Sequence, residues 1–151
     1  MQHLPFDFSQ RHVFVAGGSS GINLGIARAF SEAGARLSLM SRSLDKVQSA
    51  AQGLAVAGRQ AQGFSADVRD PEAVQAALTQ ACAAYGPIDV LVSGAAGNFL
   101  ASALDMSPNA FKTVVDIDLL GSFNVVRFAH AHLRQPGACV IQISASQAFT
   151  P

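Results

Sequence analysis

Several residue types are scarce in this sequence of 151 residues, which has no tryptophan, one tyrosine and two cysteines, and has lysine only at Lys46 and Lys112. Ten basic and ten acidic residues leave no net charge, which argues against nucleic acid or an anionic membrane surface as a partner. No apolar run is long enough to cross a bilayer, and the first segment, MQHLPFDFSQRH, lacks the pattern of a secretory signal. These features predict a cytoplasmic protein.

The cysteines and histidines are not spaced as a disulfide framework or a metal site. Cys82 falls in a predicted helix and Cys139 in a predicted strand, so both are expected to be buried free thiols. His130 and His132 are two residues apart on a predicted helix and point to different faces. No histidine has cysteines or carboxylates at zinc-ligand spacing, and no metal site is predicted.

Apolar residues make up half of the chain and form short strands that alternate with longer helical segments. The predicted strands are 12–16, 36–40, 62–66, 88–94 and 138–144, and the predicted helices are 22–33, 43–54, 70–86 and 107–134. Strands separated by helices pair in parallel through right-handed crossovers. We therefore predict one α/β domain over residues 1–151, a doubly wound parallel sheet (Rossmann fold) with five strands.

The first strand runs into the first helix through the stretch AGGSSGIN. Gly17 lets the chain turn sharply off the strand, and Gly21 lets the backbone approach a phosphate. The next helix directs its free N–H groups and the positive end of its dipole at that phosphate. The alternative is a tight turn with a purely structural role. The candidate cofactor-binding residues here are Gly17, Ser19, Ser20, Gly21, Ile22 and Asn23.

The second strand is followed by Ser41, Arg42 and Ser43. A site for NAD usually has a carboxylate at this point, which accepts a hydrogen bond from the ribose 2′-hydroxyl. Arg42 instead offers a guanidinium group suited to a 2′-phosphate, with a hydroxyl on either side. The sequence therefore predicts NADP(H) as the cofactor. The alternative is that Arg42 is an ordinary surface arginine.

The ends of the third and fourth strands supply further cofactor-binding candidates. Asp67 is placed to accept a hydrogen bond from the adenine amino group and Val68 to cover the ring, unless Asp67 only helps to cap the next helix. Small residues after the fourth strand would let the backbone pass close under a ribose or nicotinamide, or would simply form a turn. These residues are Ser93, Gly94, Ala95 and Ala96.

Two aspartates, Asp116 and Asp118, lie among apolar residues in the predicted long helix. A helix of this type buries most of one side, so we expect at least one of the two carboxylates to face inward. An inward carboxylate needs hydrogen-bonding partners and is a candidate for a perturbed pKa. The alternative is that both aspartates are solvated.

Taken in order, AGGSSGI, ADVRD, IDVLVSGAAGN and DIDLLGSF resemble the short-chain dehydrogenase/reductase family over residues 10–151. Within that family, AAGNFL and NAFKTVVDIDLLGSFNV resemble the 2,4-dienoyl-CoA reductases, notably the peroxisomal type, which reduce conjugated double bonds of unsaturated fatty acyl-CoA with NADPH. The resemblance implies an NADPH-dependent oxidoreductase that acts on a small molecule, either such an acyl-CoA or a ketone or alcohol. It also implies a homo-oligomer, either a dimer or a tetramer.

The sequence departs from the family pattern at several positions. The third glycine of the family's motif is replaced by Asn23, and its NNAG motif corresponds to residues 93–96. The relay asparagine of the family corresponds to Asp118, as in the peroxisomal reductases, and its catalytic serine corresponds to Ala145. The resemblance leaves three candidate catalytic residues, Asp118, Ser144 and Ser146. Asp118 would act as a proton donor only if burial raises its pKa.

The tyrosine–lysine pair of the family, YxxxK, has no counterpart in residues 1–151. Tyr85 is followed four residues later by Asp89, so we expect Tyr85 to be a packing residue where its helix meets the fourth strand. The resemblance implies a longer enzyme, with the last strands of the sheet missing here, the fifth strand left as an exposed edge and this chain inactive alone. The alternatives are a natural half-domain and a non-catalytic NADP-binding or scaffold protein. A methyltransferase is disfavoured, because it would need an acidic residue after the second strand.

Overall fold

The computed structural model describes residues 6–56 and 58–145, and its elements follow the predicted alternating order. The strands are β1 (His12–Ala16), β2 (Arg36–Ser41), β3 (Ala61–Ser65), β4 (Val90–Ser93) and β5 (Cys139–Gln142). The helices are α1 (Gly21–Glu32), α2 (Leu44–Leu54), α3 (Pro71–Tyr85), α4 (Pro108–Val114) and α5 (Gly121–Ala129). A π-helical segment (Val115–Leu120) joins α4 to α5, and a 3₁₀ turn (His130–His132) follows α5.

The five strands form one parallel sheet in the order β3-β2-β1-β4-β5. β1 lies at the centre, with Val13 aligned to Leu37 of β2 on one side and to Val90 of β4 on the other. β5 lies at an edge of the sheet, beside β4 only. The predicted doubly wound parallel sheet is therefore confirmed.

Alternate residues of the buried strands feed two separate apolar layers, one on each face of the sheet. Phe14 of β1 belongs to the layer under α3 and α5, which also contains Leu78 and Val125. Val15 belongs to the layer under α1 and α2, which also contains Val47. Burial on both faces explains why β1 and β4 have almost no polar positions.

Side chains cap three of the helices at the positions where the predicted helices begin. The Asp70 side chain accepts hydrogen bonds from the N–H groups of Glu72 and Ala73, and the Ser43 hydroxyl accepts one from the N–H of Lys46. The Ser107 hydroxyl accepts a hydrogen bond from the N–H of Ala110 in the same way. Each cap satisfies N–H groups that the first helical turn leaves without acceptors, so the three predicted helix starts are confirmed.

The long helix predicted over 107–134 is continuous, but its middle is not α-helical. The N–H of Gly121 donates to the carbonyl of Asp116, five residues earlier, which defines the wider π turn. A Cβ on Gly121 would come within 2.5 Å of Val68, so the helix approaches the loop after β3 closely here. Periodicity in the sequence shows the helix but not the extra residue in this turn.

The prediction of two buried thiols is wrong for Cys139. Cys82 is half-buried in α3, where burial raises the pKa of its thiol. Cys139 is exposed, because it begins the edge strand β5, three of whose four residues are exposed. Both cysteines are free.

Candidate cofactor site

A cavity of about 520 Å³ lies where the carboxyl ends of β1, β2 and β4 meet. β1 is flanked by β2 on one side and β4 on the other, so the order of the strands reverses at this point, which is where doubly wound sheets bind their ligands. Every predicted cofactor-binding residue except Ser43 and Ser93 lines the cavity. The sequence reasoning missed four apolar lining residues, Met40, Ala66, Ile117 and Ile143. Met40, Ala66 and Ile143 lie at or near the ends of predicted strands and Ile117 lies within the predicted long helix, so each has the pattern of an ordinary apolar residue of its element.

The glycine turn between β1 and α1 forms one wall of this cavity. Gly17 has φ +80° and Gly21 has φ +57°, conformations that favour glycine. The N–H of Gly17 donates to the carbonyl of Met40 at 2.8 Å, which fixes the turn to the end of β2. Ser20 is the N-cap of α1, and its side chain caps no N–H group of the first turn. The start of α1 therefore lies at the cavity, and the Ser20 side chain does not cap its first turn.

Asn23 lines the cavity, but its side chain is bonded across it. The Asn23 Nδ2 donates to the carbonyl oxygen of Gly94 at 2.6 Å. The side-chain oxygen of Asn23 is buried and has no hydrogen-bond partner among the described residues. Asn23 therefore ties the start of α1 to the end of β4.

The segment after β2 places Arg42 at the cavity, exposed and with no ion pair within 4 Å in the described ranges. Two hydroxyls hold the surrounding backbone, because Ser41 donates to the carbonyl of Ser43 at 3.3 Å and Ser65 donates to the carbonyl of Arg42 at 3.2 Å. Ser43 does not line the cavity, and its hydroxyl caps α2. No carboxylate follows β2 in the sequence before Asp45, which lies in α2.

Asp67 lines the cavity and is bonded to Arg69, which the sequence reasoning did not consider. The Arg69 side chain donates to both carboxylate oxygens of Asp67, with Nη2 to Oδ2 at 2.6 Å. These hydrogen bonds lower the pKa of Asp67 more than its partial burial raises it. The Asp67 Oδ1 also accepts from the N–H of Arg69, whereas Asp70 caps α3. Val68 is buried beside Gly121.

The far wall of the cavity is the backbone of Gly94, Ala95 and Ala96, which follows β4. Ser93 does not line the cavity, because it is the buried last residue of β4. Gly97, which follows Ala96, donates its N–H to Asp118 Oδ1 at 2.8 Å. The carboxylate of Asp118 therefore fixes the segment after β4 to the π-helical segment.

The predicted catalytic residues do not form a relay in the described part of the chain. Asp118 is exposed and Asp116 is half-buried in an ion pair with Lys112, whereas the residue between them, Ile117, is buried. The expectation of an inward-facing carboxylate is therefore wrong, because the side chain that this segment buries is that of Ile117. Ser144 is exposed after β5 and does not line the cavity. Ser146 lies outside the described residues.

Two polar clusters lie at the other end of the strands, where β1 and β4 begin. Tyr85 packs edge-on against His12, with ring centroids 5.5 Å apart, so it is a packing residue as predicted, although its partner is in β1. The buried carboxylate of Asp89 accepts hydrogen bonds from Arg11 at 2.8 Å and Arg134 at 2.6 Å. Burial alone would raise the pKa of Asp89, but the hydrogen bonds from Arg134, from the N–H of His12 and from Arg11 lower it to about 2.

Within the described ranges, no three His, Cys, Asp or Glu side chains are grouped as a metal site. None of the helices described here has the length and apolar character needed to span a membrane.

The fold defines an α/β domain of the doubly wound class, and its cavity lies where such sheets bind their ligands. A family profile described as short chain dehydrogenase matches residues 11–151. The chain belongs to the short-chain dehydrogenase family, and the resemblance inferred from the sequence motifs is confirmed. The family and its relatives imply a nicotinamide cofactor.

The chain is similar to the peroxisomal 2,4-dienoyl-CoA reductase of Rattus norvegicus, with 47% identity over 135 residues, which are 88% of this chain and 46% of the relative. It is also similar to the 3-dehydrosphinganine reductase TSC10B of Arabidopsis thaliana, with 44% identity over 129 residues, 83% of this chain and 37% of the relative. The chain thus spans about half the length of the curated relatives it matches or less.

Solved structures show the same fold. A short-chain type dehydrogenase/reductase from Mycobacterium marinum superposes with a TM-score of 0.89 at 28% identity, covering 95% of this chain and 57% of that structure. A short-chain dehydrogenase/reductase variant from Serratia marcescens gives a TM-score of 0.87 at 25% identity, covering 95% and 59%.

Proposed function

We propose that the chain binds NADP(H) in this cavity and serves an NADPH-dependent oxidoreductase. One observation carries the proposal: the open start of α1 lines the same cavity as the guanidinium group of Arg42, which has no ion pair among the described residues, and no carboxylate follows β2 before Asp45. A helix N-terminus suits a pyrophosphate, and a guanidinium group suits a 2′-phosphate.

The cavity walls fit the parts of a dinucleotide in order along the sheet edge. The glycine turn and Ser19 would hold the pyrophosphate, and Arg42 with Ser41 would hold the 2′-phosphate. The adenine would lie against Val68 and Asp67, and the backbone of residues 94–96 would face the nicotinamide ribose. NADPH, when bound, supplies a hydride.

For the substrate, we propose an unsaturated fatty acyl-CoA of the 2,4-dienoyl type. The support is the similarity to 2,4-dienoyl-CoA reductases, together with an aspartate at position 118. Asp118 has one oxygen held by Gly97 N–H and is exposed, so it can hold a water molecule beside the cavity. The hydroxyls of Ser144 and Ser146 are candidates for donating to a substrate carbonyl.

A ketone is the second substrate candidate, because a relative at 44% identity is a 3-dehydrosphinganine reductase. A non-catalytic NADP-binding or scaffold protein is the third reading, and it fits the alanine at position 145, where the family pattern has its catalytic serine.

Turnover separates the three readings. The longer enzyme that the resemblance implies, rather than residues 1–151 alone, is mixed with NADPH and with a 2,4-dienoyl-CoA, with 3-dehydrosphinganine or with no substrate, and the consumption of NADPH is followed. Consumption with the dienoyl-CoA supports the first reading, and consumption with the ketone alone supports the second. NADPH binding without consumption supports the third. The matched variant Asp118→Asn keeps the size of the side chain and should slow the dienoyl-CoA reaction without changing NADPH affinity.

We further propose that the chain forms a homo-oligomer, a dimer or a tetramer, through the long helix. The helix exposes Phe111, Leu119 and Phe123, each with more than half of its surface accessible. Light scattering should give more than one chain per particle, and the double variant Leu119→Asp/Phe123→Asp should give single chains.

We propose that the protein is located in the cytoplasm, although several relatives are named peroxisomal. Fluorescence microscopy of the tagged protein distinguishes the two locations.

A further inference from the structure

The side chain of Asn23 fills the gap between the two walls of the cavity. Asn23 is the third residue of α1, and its carboxamide reaches across to the end of β4, where Nδ2 bonds the carbonyl of Gly94 at 2.6 Å. A Cβ at Gly94 would lie 2.7 Å from both Cγ and Nδ2 of Asn23 and closer still to its Oδ1. The carboxamide therefore occupies the space that any side chain at position 94 would need.

The contact with Asn23, and not the backbone conformation of Gly94, excludes a side chain at position 94. Gly94 is not among the glycines with positive φ, so an L-residue can adopt its conformation. The three atoms nearest to a Cβ at Gly94 all belong to Asn23. Gly17 differs, because it has φ +80° and a Cβ there would meet the backbone of Ala95 at 2.9 Å as well as Asn23.

Asn23 and Gly94 are coupled through this contact although 71 residues separate them in the sequence. Where the family pattern has a glycine at position 23 and a side chain at position 94, this chain has the reverse. The two departures from that pattern therefore meet at one point in space. In this chain the gap is filled by the carboxamide of Asn23, which α1 contributes.

We propose that Asn23 is a positioning residue for the dinucleotide site. Its carboxamide sets the distance between the glycine turn and residues 94–96, which form opposite walls of the cavity, and it acts through Gly94 rather than by touching the cofactor. The burial of its oxygen supports this, because a bound ligand cannot reach an atom with less than 1 Å² accessible. The proposal rests on the proposed function, because it concerns how tightly a dinucleotide is held.

The consequence for mutants is a specific pattern of rescue. Gly94→Ala in the native chain should lower NADPH affinity about tenfold or more, since overpacking a closed site forces its walls apart. Asn23→Gly alone should lower it about fivefold through loss of the hydrogen bond and of the spacer. The double variant Asn23→Gly/Gly94→Ala should bind within about threefold of Asn23→Gly, because the methyl group then enters vacant space.

Two quantities are measured for each variant. The first is the dissociation constant of NADPH and of NADH, at a temperature well below that at which the variant unfolds. The second is the unfolding temperature without cofactor. Gly17→Ala is the matched control, and Asn23→Gly should fail to rescue it because the Ala95 backbone remains. Gly25→Ala, on the exposed side of α1 with nothing within 4 Å of the new Cβ, should change neither quantity. NADPH and NADH should weaken by the same factor, since Asn23 does not face the 2′-phosphate position.

The proposal would be overturned if Gly94→Ala in the native chain left NADPH affinity unchanged. It would also be overturned if Gly94→Ala still weakened NADPH binding in the presence of Asn23→Gly. A rescue of unfolding temperature without any rescue of the dissociation constant would also overturn it, because the contact would then be structural only. If the wild-type chain binds neither cofactor, the proposed function itself fails and the positioning role with it. The unfolding data would in that case still show whether Asn23 excludes a side chain at position 94.

Discussion

Asp89 offers a prediction whose magnitude follows from the structure. Its carboxylate is 5% exposed and receives hydrogen bonds from Arg11, Arg134 and the N–H of His12, which together join the starts of β1, β4 and the segment before β5. Its pKa falls from 3.8 to about 2. A shift of nearly two units corresponds to about 2 kcal/mol of stability.

The sign follows from linkage. A carboxyl group whose pKa is lower in the folded state contributes its stability above the unfolded pKa of 3.8, and loses it as the pH falls toward about 2. Asp89→Asn should therefore lower the free energy of unfolding by about 2 kcal/mol at pH 7, equivalent to roughly 4–8 °C in melting temperature for a chain of this size. The gap between wild type and variant should narrow as the pH falls below 4, because the carboxyl group of Asp89 then binds a proton in the unfolded chain, whereas in the folded chain it does so only near pH 2.

Urea unfolding at pH 7, 5 and 3 measures this gap. Glu32→Gln, an exposed carboxylate at the end of α1, is the matched control and should leave the free energy nearly unchanged at each pH. A gap between wild type and Asp89→Asn that stays constant from pH 7 to pH 3 would refute the reasoning, because the loss would then come from packing rather than charge.

Three further predictions concern other parts of the fold. Burial lowers the pKa of His12 below 6.5, so stability should fall as the pH drops below 6.5, and His12→Gln should remove that slope; an unchanged slope would contradict the assignment. Gly121→Ala places a methyl group 2.5 Å from Val68, so it should cost about 1–3 kcal/mol and weaken NADPH binding, and undiminished affinity would contradict the close approach to the cavity. Asp70→Ala removes two cap hydrogen bonds and should cost about 1 kcal/mol in chemical unfolding, with NADPH affinity unchanged because Asp70 lies outside the cavity.

The parts of the fold that depend on local signals could be predicted from the sequence. Helix caps such as Ser43 and Asp70 can be recognised from the few residues around them, because they accept hydrogen bonds from nearby N–H groups. Gly17 can be recognised in the same way, because the turn after β1 requires its positive φ. Alternation of apolar strands and helices then determines the parallel sheet and brings the residues after each strand to one edge.

Contacts between distant segments could not be predicted in the same way. The Asn23–Gly94 bond and the Asp89–Arg134 pair join residues 71 and 45 positions apart, and nothing near either residue in the sequence indicates its partner. Within the π-helical segment Ile117 is buried and Asp118 is exposed. The periodicity of the sequence does not indicate a π turn, so it could not show which of the neighbouring side chains faces the core.

The most direct test of the account is the titration of the protein with NADPH and NADH, for wild type, Arg42→Ala and the control Arg28→Ala, an exposed arginine of α1 outside the cavity. Wild type and Arg28→Ala should prefer NADPH, and Arg42→Ala should lose about tenfold in NADPH affinity with NADH affinity unchanged, as expected for an exposed charge-assisted contact. Equal affinities of the wild-type protein for the two cofactors would contradict the assignment of Arg42, and binding of neither would contradict the cofactor site itself.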